Sequence, residues 1–164
     1  MNHLISVLVE NKPGVLARVA TMFARRGFNI HSLTVGPTAE EGMSRMTVVA
    51  ETPEVEQITK QLYKLVHTVK VTEFEPGQAV VRELMLVKVN ADPKRRSEVL
   101  NAASVFEATA VDIGSSTLTF QVTGTPEMLA DFLEMMRPYG VSALVKSGRI
   151  ALAKNSKTKA AAGA

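Results

Sequence analysis

The chain has 164 residues, no cysteine, and a formal net charge of +3 at pH 7. The lack of cysteine excludes disulfides and thiolate metal sites and is typical of a reducing cytoplasm. No run approaches the roughly 18 apolar residues that a membrane span needs, and residues 1–4 lack the pattern of a signal peptide. We therefore expect a soluble, cytoplasmic protein without a membrane partner.

The basic charge is concentrated at the C-terminal end. The last 19 residues hold five Lys or Arg and no acid, and the preceding 145 residues sum to −2. A nucleic-acid footprint needs a basic stripe on the folded body, so we expect no nucleic-acid partner. Residues 148–164 are predicted to form a basic, disordered tail, with a weak contact to an acidic partner as the alternative.

The first half of the chain alternates short apolar runs with amphipathic segments. The predicted order is strand 4–10, a helix from 15, strands 28–35 and 45–51, a helix from 52, and strand 68–74. Gly27 stands where a glycine ends a helix, and Thr52 and Pro53 are predicted as N-cap and first residue of the second helix. The predicted buried stripes are Val15, Leu16, Val19, Met22, Phe23 and Val55, Ile58, Leu62, Leu65, Val66.

The same plan recurs after residues 75–78. The predicted elements are strand 83–90, a helix opened by Asp92 and Pro93, strands 110–114 and 117–123, a helix capped by Thr125, and strand 141–146. The fold class is therefore predicted as α+β, with two tandem ferredoxin-like βαββαβ domains. Their predicted bounds are residues 1–76 and 81–147, joined by a linker at 77–80.

The first strand is apolar on both sides. Ile5 and Val7 lie on one face, and Leu4 and Leu8 on the other. Because helices cover only one face of such a sheet, a second apolar face predicts that another domain or subunit covers it.

The patterns of common catalytic sites are missing. The three histidines, His3, His31 and His67, have no metal-ligand spacing. No phosphate loop or Gly-x-Ser-x-Gly elbow occurs. Acylphosphatases share the fold class but need an arginine in the first strand-to-helix loop, which reads Glu-Asn-Lys-Pro-Gly at residues 10–14. We therefore expect a non-catalytic chain with no metal and no cofactor of its own, and we expect Met128 and Met136 to fill the core.

That first loop is the candidate site. Gly14 allows close approach to the backbone, and free amides at the start of a helix favour a carboxylate. Asn11 can bond to an ammonium or a carboxylate, and Asn29 begins an edge strand that a second copy can bring near the loop. The alternative is that Asn11 and Asn29 serve only as turn and strand-start residues.

Residues 8–19, Leu-Val-Glu-Asn-Lys-Pro-Gly-Val-Leu-Ala-Arg-Val, resemble the opening of an ACT domain, a sensor of small molecules in amino-acid metabolism. Further segments resemble the small regulatory subunits of acetolactate synthase (acetohydroxyacid synthase). They are Arg-Gly-Phe-Asn-Ile at 26–30, Ser-Leu-Thr-Val at 32–35, Ser-Arg-Met-Thr at 44–47, Gln-Leu-Tyr-Lys-Leu at 61–65 and Arg-Glu-Leu-Met-Leu-Val-Lys at 82–88.

This resemblance implies a regulatory chain that binds and activates a large catalytic subunit, which carries thiamine diphosphate, FAD and magnesium. It also implies feedback inhibition by a branched-chain amino acid, here valine, held between the ACT domains of a homodimer. The matching effector-binding positions are Asn11, Gly14 and Asn29, with Val15 and Ile30 lining the aliphatic pocket. Departures at residue 31 and residues 38–43 leave the effector preference open. The rival readings are a free-standing amino-acid sensor with another metabolic or transcriptional partner, and an assembly scaffold.

Overall fold

A computed structural model describes residues 2–155 of the chain. The first half forms six elements: β1 (Asn2–Glu10), α1 (Val15–Arg25), β2 (Asn29–Pro37), β3 (Met43–Glu51), α2 (Val55–Tyr63) and β4 (Thr68–Phe74). The strands form one antiparallel sheet in the order β2-β3-β1-β4, so β2 and β4 are its edges. The predicted ferredoxin-like order of elements is confirmed for this half.

Both helices pack on one face of this sheet, as their apolar stripes require. The core combines Ile5, Val7 and Val9 of β1 with the inward residues of α1, α2 and β3. The stripes are confirmed except at two positions: Leu16 is 45% exposed and Val66 is 83% exposed. Leu16 lies one residue beyond the buried Val15, which turns it about 100° from the core-facing side of α1.

The start of α2 differs from the prediction. The helix begins at Val55, with Glu54 rather than Thr52 at the N-cap. The Thr52 hydroxyl accepts a hydrogen bond of 3.0 Å from the Glu54 amide, and Thr52 is buried. Thr52 therefore stabilises a turn that precedes the helix.

The second half repeats the plan with β5 (Ala79–Asn90), α3 (Arg96–Ser104), β6 (Thr109–Ile113), β7 (Thr117–Gly124), α4 (Pro126–Met136) and β8 (Val141–Lys146), followed by β9 (Ile150–Ala153). Its sheet has the order β6-β7-β5-β8. Met136 is fully buried among the core aromatic residues, as predicted, whereas Met128 is only partly buried and packs against the core from its margin.

The helix starts of this half are set by side chains. The Thr125 hydroxyl accepts from the Met128 amide at 3.3 Å, and Pro126 opens α4, as predicted. The carboxylate of Asp92 accepts from the amides of Lys94 and Arg95 at 2.9 and 3.0 Å. This Asx turn delays α3 to Arg96, four residues later than predicted.

The predicted linker and tail are both corrected by the structure. β5 begins at Ala79, inside the predicted linker 77–80, and its first four residues pair with β9. β9 lies inside residues 148–164, which were predicted as a disordered tail. Apolar residues at 150–152 favour a strand there. Residues 156–164 of the predicted tail lie outside the described residues.

The paired segments Ala79–Arg82 and Ile150–Ala153, here named the β5–β9 ribbon, lie beside the helix-free face of the first sheet. Residues of the ribbon and of that face, including Thr34 and Thr47, line a common cavity of about 770 Å³. Val49 and Thr47, on this face, are each 2% exposed. The second half of the chain thus covers part of this face, but Leu4 and Leu8, on which the prediction rested, are only half-buried. The prediction is confirmed in part.

None of the helices within residues 2–155 is long and apolar enough to span a membrane.

Candidate effector site

The loop between β1 and α1 is fixed by hydrogen bonds to two neighbouring elements. The Asn11 amide donates to the Gly42 carbonyl at 2.8 Å, which extends the β1–β3 ladder into the loop. The Glu10 amide donates to the His67 carbonyl at 2.9 Å, and the carboxylate of Glu10 lies 3.0 Å from Nδ1 of His67. The loop is therefore held in place at its β1 end.

The first turn of α1 offers unpaired amides at the other end of the loop. Gly14 is the N-cap in the left-handed region, with φ of 83°, and no side chain caps the helix. The backbone amide of Val15 donates to the carbonyl of Lys12 at 3.3 Å, and the backbone amide of Arg18 donates to the carbonyl of Gly14 at 3.0 Å. In residues 2–155, the amides of Gly14, Leu16 and Ala17 have no protein acceptor. Such amides, with the positive end of the helix dipole, are able to bind a small carboxylate.

The surroundings of these amides are open. A Cβ at Gly14 would meet no atom within 4 Å. The side chain of Asn11 is exposed beside the turn. Leu16, which the sequence pattern assigned to the core, instead presents apolar surface next to the free amides. Its exposure was not visible in the sequence because it lies within an otherwise buried stripe.

The predicted aliphatic contacts differ in exposure. Val15 is 6% exposed and belongs to the core of the first half, so it offers little surface to a ligand. Ile30 is half-buried and packs against the same core. Both assignments stay predictions.

Asn29 is exposed but lies far from Asn11 within one chain. It pairs with Glu51 at one end of β3, whereas Glu10 pairs with Met43 at the other end. Eight residue steps of about 3.4 Å separate these ends by roughly 27 Å. One chain therefore does not bring Asn11, Gly14 and Asn29 together.

Each histidine has a carboxylate partner. His3 lies 2.7 Å from Glu73, and His31 lies 3.2 Å from Glu51, in addition to the His67–Glu10 pair. Among the residues that the structure describes, no group of three or more His, Asp or Glu side chains could hold a metal ion. The described histidines thus serve in hydrogen-bonded pairs that fasten strand ends.

Comparisons with known proteins agree with this fold in both halves. Residues 5–70 match the family model described as AHAS small subunit-like ACT domain, and residues 82–155 match the model described as small subunit of acetolactate synthase. The first half is thus an ACT domain, the class of protein module that the βαββαβ sandwich and its loop define.

Full-length relatives extend the match over nearly the whole chain. The acetolactate synthase small subunit of Mycolicibacterium smegmatis is 47% identical over 94% of this chain and 92% of its own length. A probable acetolactate synthase small subunit of Archaeoglobus fulgidus is 46% identical over 96% of this chain and 99% of its own. The crystal structure of the acetolactate synthase small subunit of Thermotoga maritima superposes with a TM-score of 0.85 at 36% identity, covering 94% of this chain and 98% of that one. The chain belongs to the family of acetolactate synthase small subunits.

Proposed function

We propose that this chain is a non-catalytic regulatory subunit of acetolactate synthase. It binds the catalytic large subunit, raises its activity, and confers feedback inhibition by valine in branched-chain amino acid biosynthesis. Thiamine diphosphate, FAD and magnesium belong to the large subunit in this proposal. Family membership supports the partner, and the loop before α1 supports the effector.

The observation that carries the effector proposal is the set of free amides on Gly14, Leu16 and Ala17 at an uncapped helix start. The carboxylate of a free amino acid accepts hydrogen bonds from such amides. The amide oxygen of Asn11 accepts from its ammonium group. The exposed surface of Leu16 supplies an apolar contact for the aliphatic side chain of valine.

We infer that two copies of the chain complete this site. β2 is an edge strand, with unpaired backbone groups along one side. If two β2 strands pair antiparallel, Asn29 of one copy lies beside Pro37 of the other. Pro37 pairs with Ser44 at the end of the sheet where Asn11 lies. This pairing spans the roughly 27 Å that separates Asn11 from Asn29 in one chain.

Inhibition requires that valine bind one arrangement of the two copies more tightly than another. A ligand with equal affinity for both arrangements does not shift the equilibrium between them. A coupling of about 1–3 kcal/mol changes the response of the partner roughly 5- to 150-fold. Leucine and isoleucine each have one methylene group more than valine, and such a group changes the free energy of binding in a pocket by about 1–3 kcal/mol.

The test combines the purified chain with the cognate large subunit and measures acetolactate formation with and without valine. We expect stimulation by the chain and its reversal by valine. If the chain binds valine but neither stimulates nor binds the large subunit, it is a free-standing sensor of another partner. If the chain stimulates the large subunit but calorimetry detects no binding of any branched-chain amino acid, the effector proposal is wrong.

A further inference from the structure

Helix α1 borders a basic groove whose charged side chains take no part in the effector site. The groove runs between α1 and α2 and has a volume of about 790 Å³. Its walls carry Arg18, Arg25 and Arg26 from α1 and its end, and Lys64 from the end of α2. Glu54 is the one carboxylate among its lining residues within the described part of the chain. The groove thus has an excess of three positive charges.

These cations are exposed, and within residues 2–155 none of them forms an ion pair. Arg18 and Arg25 are seven residues apart, which places them on one side of α1 about 10 Å apart. Their guanidinium groups are suited to bidentate bonds with carboxylates. The groove therefore complements an acidic ligand that extends over two helical turns.

The floor of the groove is apolar. Phe28 and Leu65 are half-buried there beside Met22, and the amide side chains of Gln57 and Gln61 line the α2 wall. An apolar floor between cations fits a protein segment with carboxylates around an apolar anchor residue. Nucleic acid, which binds through many phosphates, needs a longer basic stripe than four cations provide.

The groove also adjoins the effector site, because Ala17, whose amide is free, lines it. α1 begins at Val15 after its N-cap Gly14, and its last turn leads through Arg26 to Asn29. Both ends of α1 therefore adjoin residues assigned to the effector. If a change in how two copies pair at these ends displaces α1, a partner bound along the helix responds to that displacement.

We propose that the α1–α2 groove is the docking surface for an acidic segment of the catalytic large subunit, an inference that rests on the proposed function. Arg18 and Arg25 bind its carboxylates, and Phe28 and Leu65 receive its apolar anchor. Valine acts on the large subunit through α1.

The test titrates the large subunit with the full-length chain and records the concentration that gives half-maximal stimulation. Arg18→Glu/Arg25→Glu reverses two groove charges. The matched control Lys60→Glu/Lys94→Glu changes the net charge equally but alters residues that do not line the groove. We expect the groove variant to raise the half-maximal concentration at least tenfold and the control to stay within twofold.

Two further measurements separate docking from folding. Arg18→Gln/Arg25→Gln, which removes charge without reversing it, is expected to give an intermediate shift. Isolated groove variants are expected to keep the circular dichroism spectrum of the unchanged chain, and Arg18→Gln/Arg25→Gln, which places no carboxylate near Gly14, is expected to keep its valine affinity. Salt is expected to weaken stimulation more for the unchanged chain than for the charge-reversed variant.

Failure of the docking proposal is distinct from failure of the proposed function. If the unchanged chain does not stimulate the large subunit, the proposed function itself is wrong, and the docking proposal falls with it. Equal half-maximal concentrations for the groove variant and the unchanged chain overturn the docking proposal alone. A groove variant that stimulates normally but no longer self-associates in sedimentation also overturns the docking proposal and would assign the groove to a second copy. One that stimulates normally but no longer binds duplex DNA overturns it too and would assign the groove to nucleic acid.

Discussion

The hydroxyl of Thr34 donates a 2.8 Å hydrogen bond to the backbone carbonyl of Arg149, 115 positions later in the chain. The Arg149 amide donates in turn to the Ser32 hydroxyl at 3.0 Å. These two bonds join the edge strand β2 of the ACT domain to the segment that leads into β9. The second half of the chain is thereby attached to the same strand that carries Asn29.

This attachment requires a glycine at position 148. A Cβ there would lie 2.8 Å from Cγ2 of Thr34 and 3.0 Å from the Ser32 hydroxyl, and φ is 89°. We expect Gly148→Ala to reduce the free energy of unfolding by about 2–4 kcal/mol, from the left-handed backbone and the overpacking together. Gly77→Ala is the control, since its φ is 85° with open space around it; it should lose only about 1–2 kcal/mol. Urea denaturation measures both, and equal losses would show that the contact with β2 is absent.

Two substitutions at position 14 distinguish the effect of charge on valine binding from the effect of backbone conformation. Asn and Asp both tolerate the left-handed conformation of Gly14, and no atom crowds a Cβ there. Gly14→Asn is therefore expected to fold and to keep measurable valine binding. Gly14→Asp places a carboxylate beside that of the effector, so valine affinity should fall at least tenfold further and inhibition should be released. Calorimetry on the two variants compares them directly, and equal affinities would remove the effector carboxylate from this turn.

The separation of Asn11 from Asn29 gives a test of the shared site. Loss of a hydrogen bond to a charged group costs about 1.5–3 kcal/mol, so Asn11→Ala and Asn29→Ala should each weaken valine binding roughly 10- to 150-fold. In a mixed dimer of the two variants, one site has both asparagines and the other has neither. We expect calorimetry of re-associated mixtures to recover a fraction of sites with the original affinity.

The control for this experiment is Asn101→Ala, an exposed asparagine on α3 in the second domain, which should leave valine affinity unchanged. Mixtures that recover no tight sites, although mixed dimers form, would contradict a site built from two copies.

The order of elements and the candidate loop were predictable because periodicity and turn residues are local signals. Thr125 and Pro126 cap α4 as their types require, and Gly14 has the positive φ that a glycine before a helix suggests. The β5–β9 ribbon was not predictable from local signals, because it pairs residues about 70 positions apart. Its position beside the helix-free face of the first sheet depends on tertiary packing. The exposure of Leu16 likewise depends on which side of α1 the sheet occupies.

The N-cap of α4 affects both stability and the titration of a neighbouring acid. The Glu127 backbone N–H, with a smaller contribution from the Thr125 hydroxyl, lowers the pKa of the Glu127 carboxyl from its ordinary value. Because the folded-state pKa is the lower one, the resulting stability is present above the unfolded-state pKa and is lost as the pH falls through the folded-state pKa. Thr125→Ala is expected to reduce the free energy of unfolding by about 0.5–2 kcal/mol at neutral pH, and to raise the pKa of Glu127 partway to its ordinary value.

Thr125→Ser retains the hydroxyl and is expected to preserve both properties. Urea denaturation gives the stabilities, and NMR titration of the Glu127 side chain gives the pKa. A Thr125→Ala variant as stable as the unchanged chain would show that Met128 finds another acceptor and that the cap is dispensable. An unchanged Glu127 pKa in that variant would exclude the Thr125 hydroxyl as a cause of the shift.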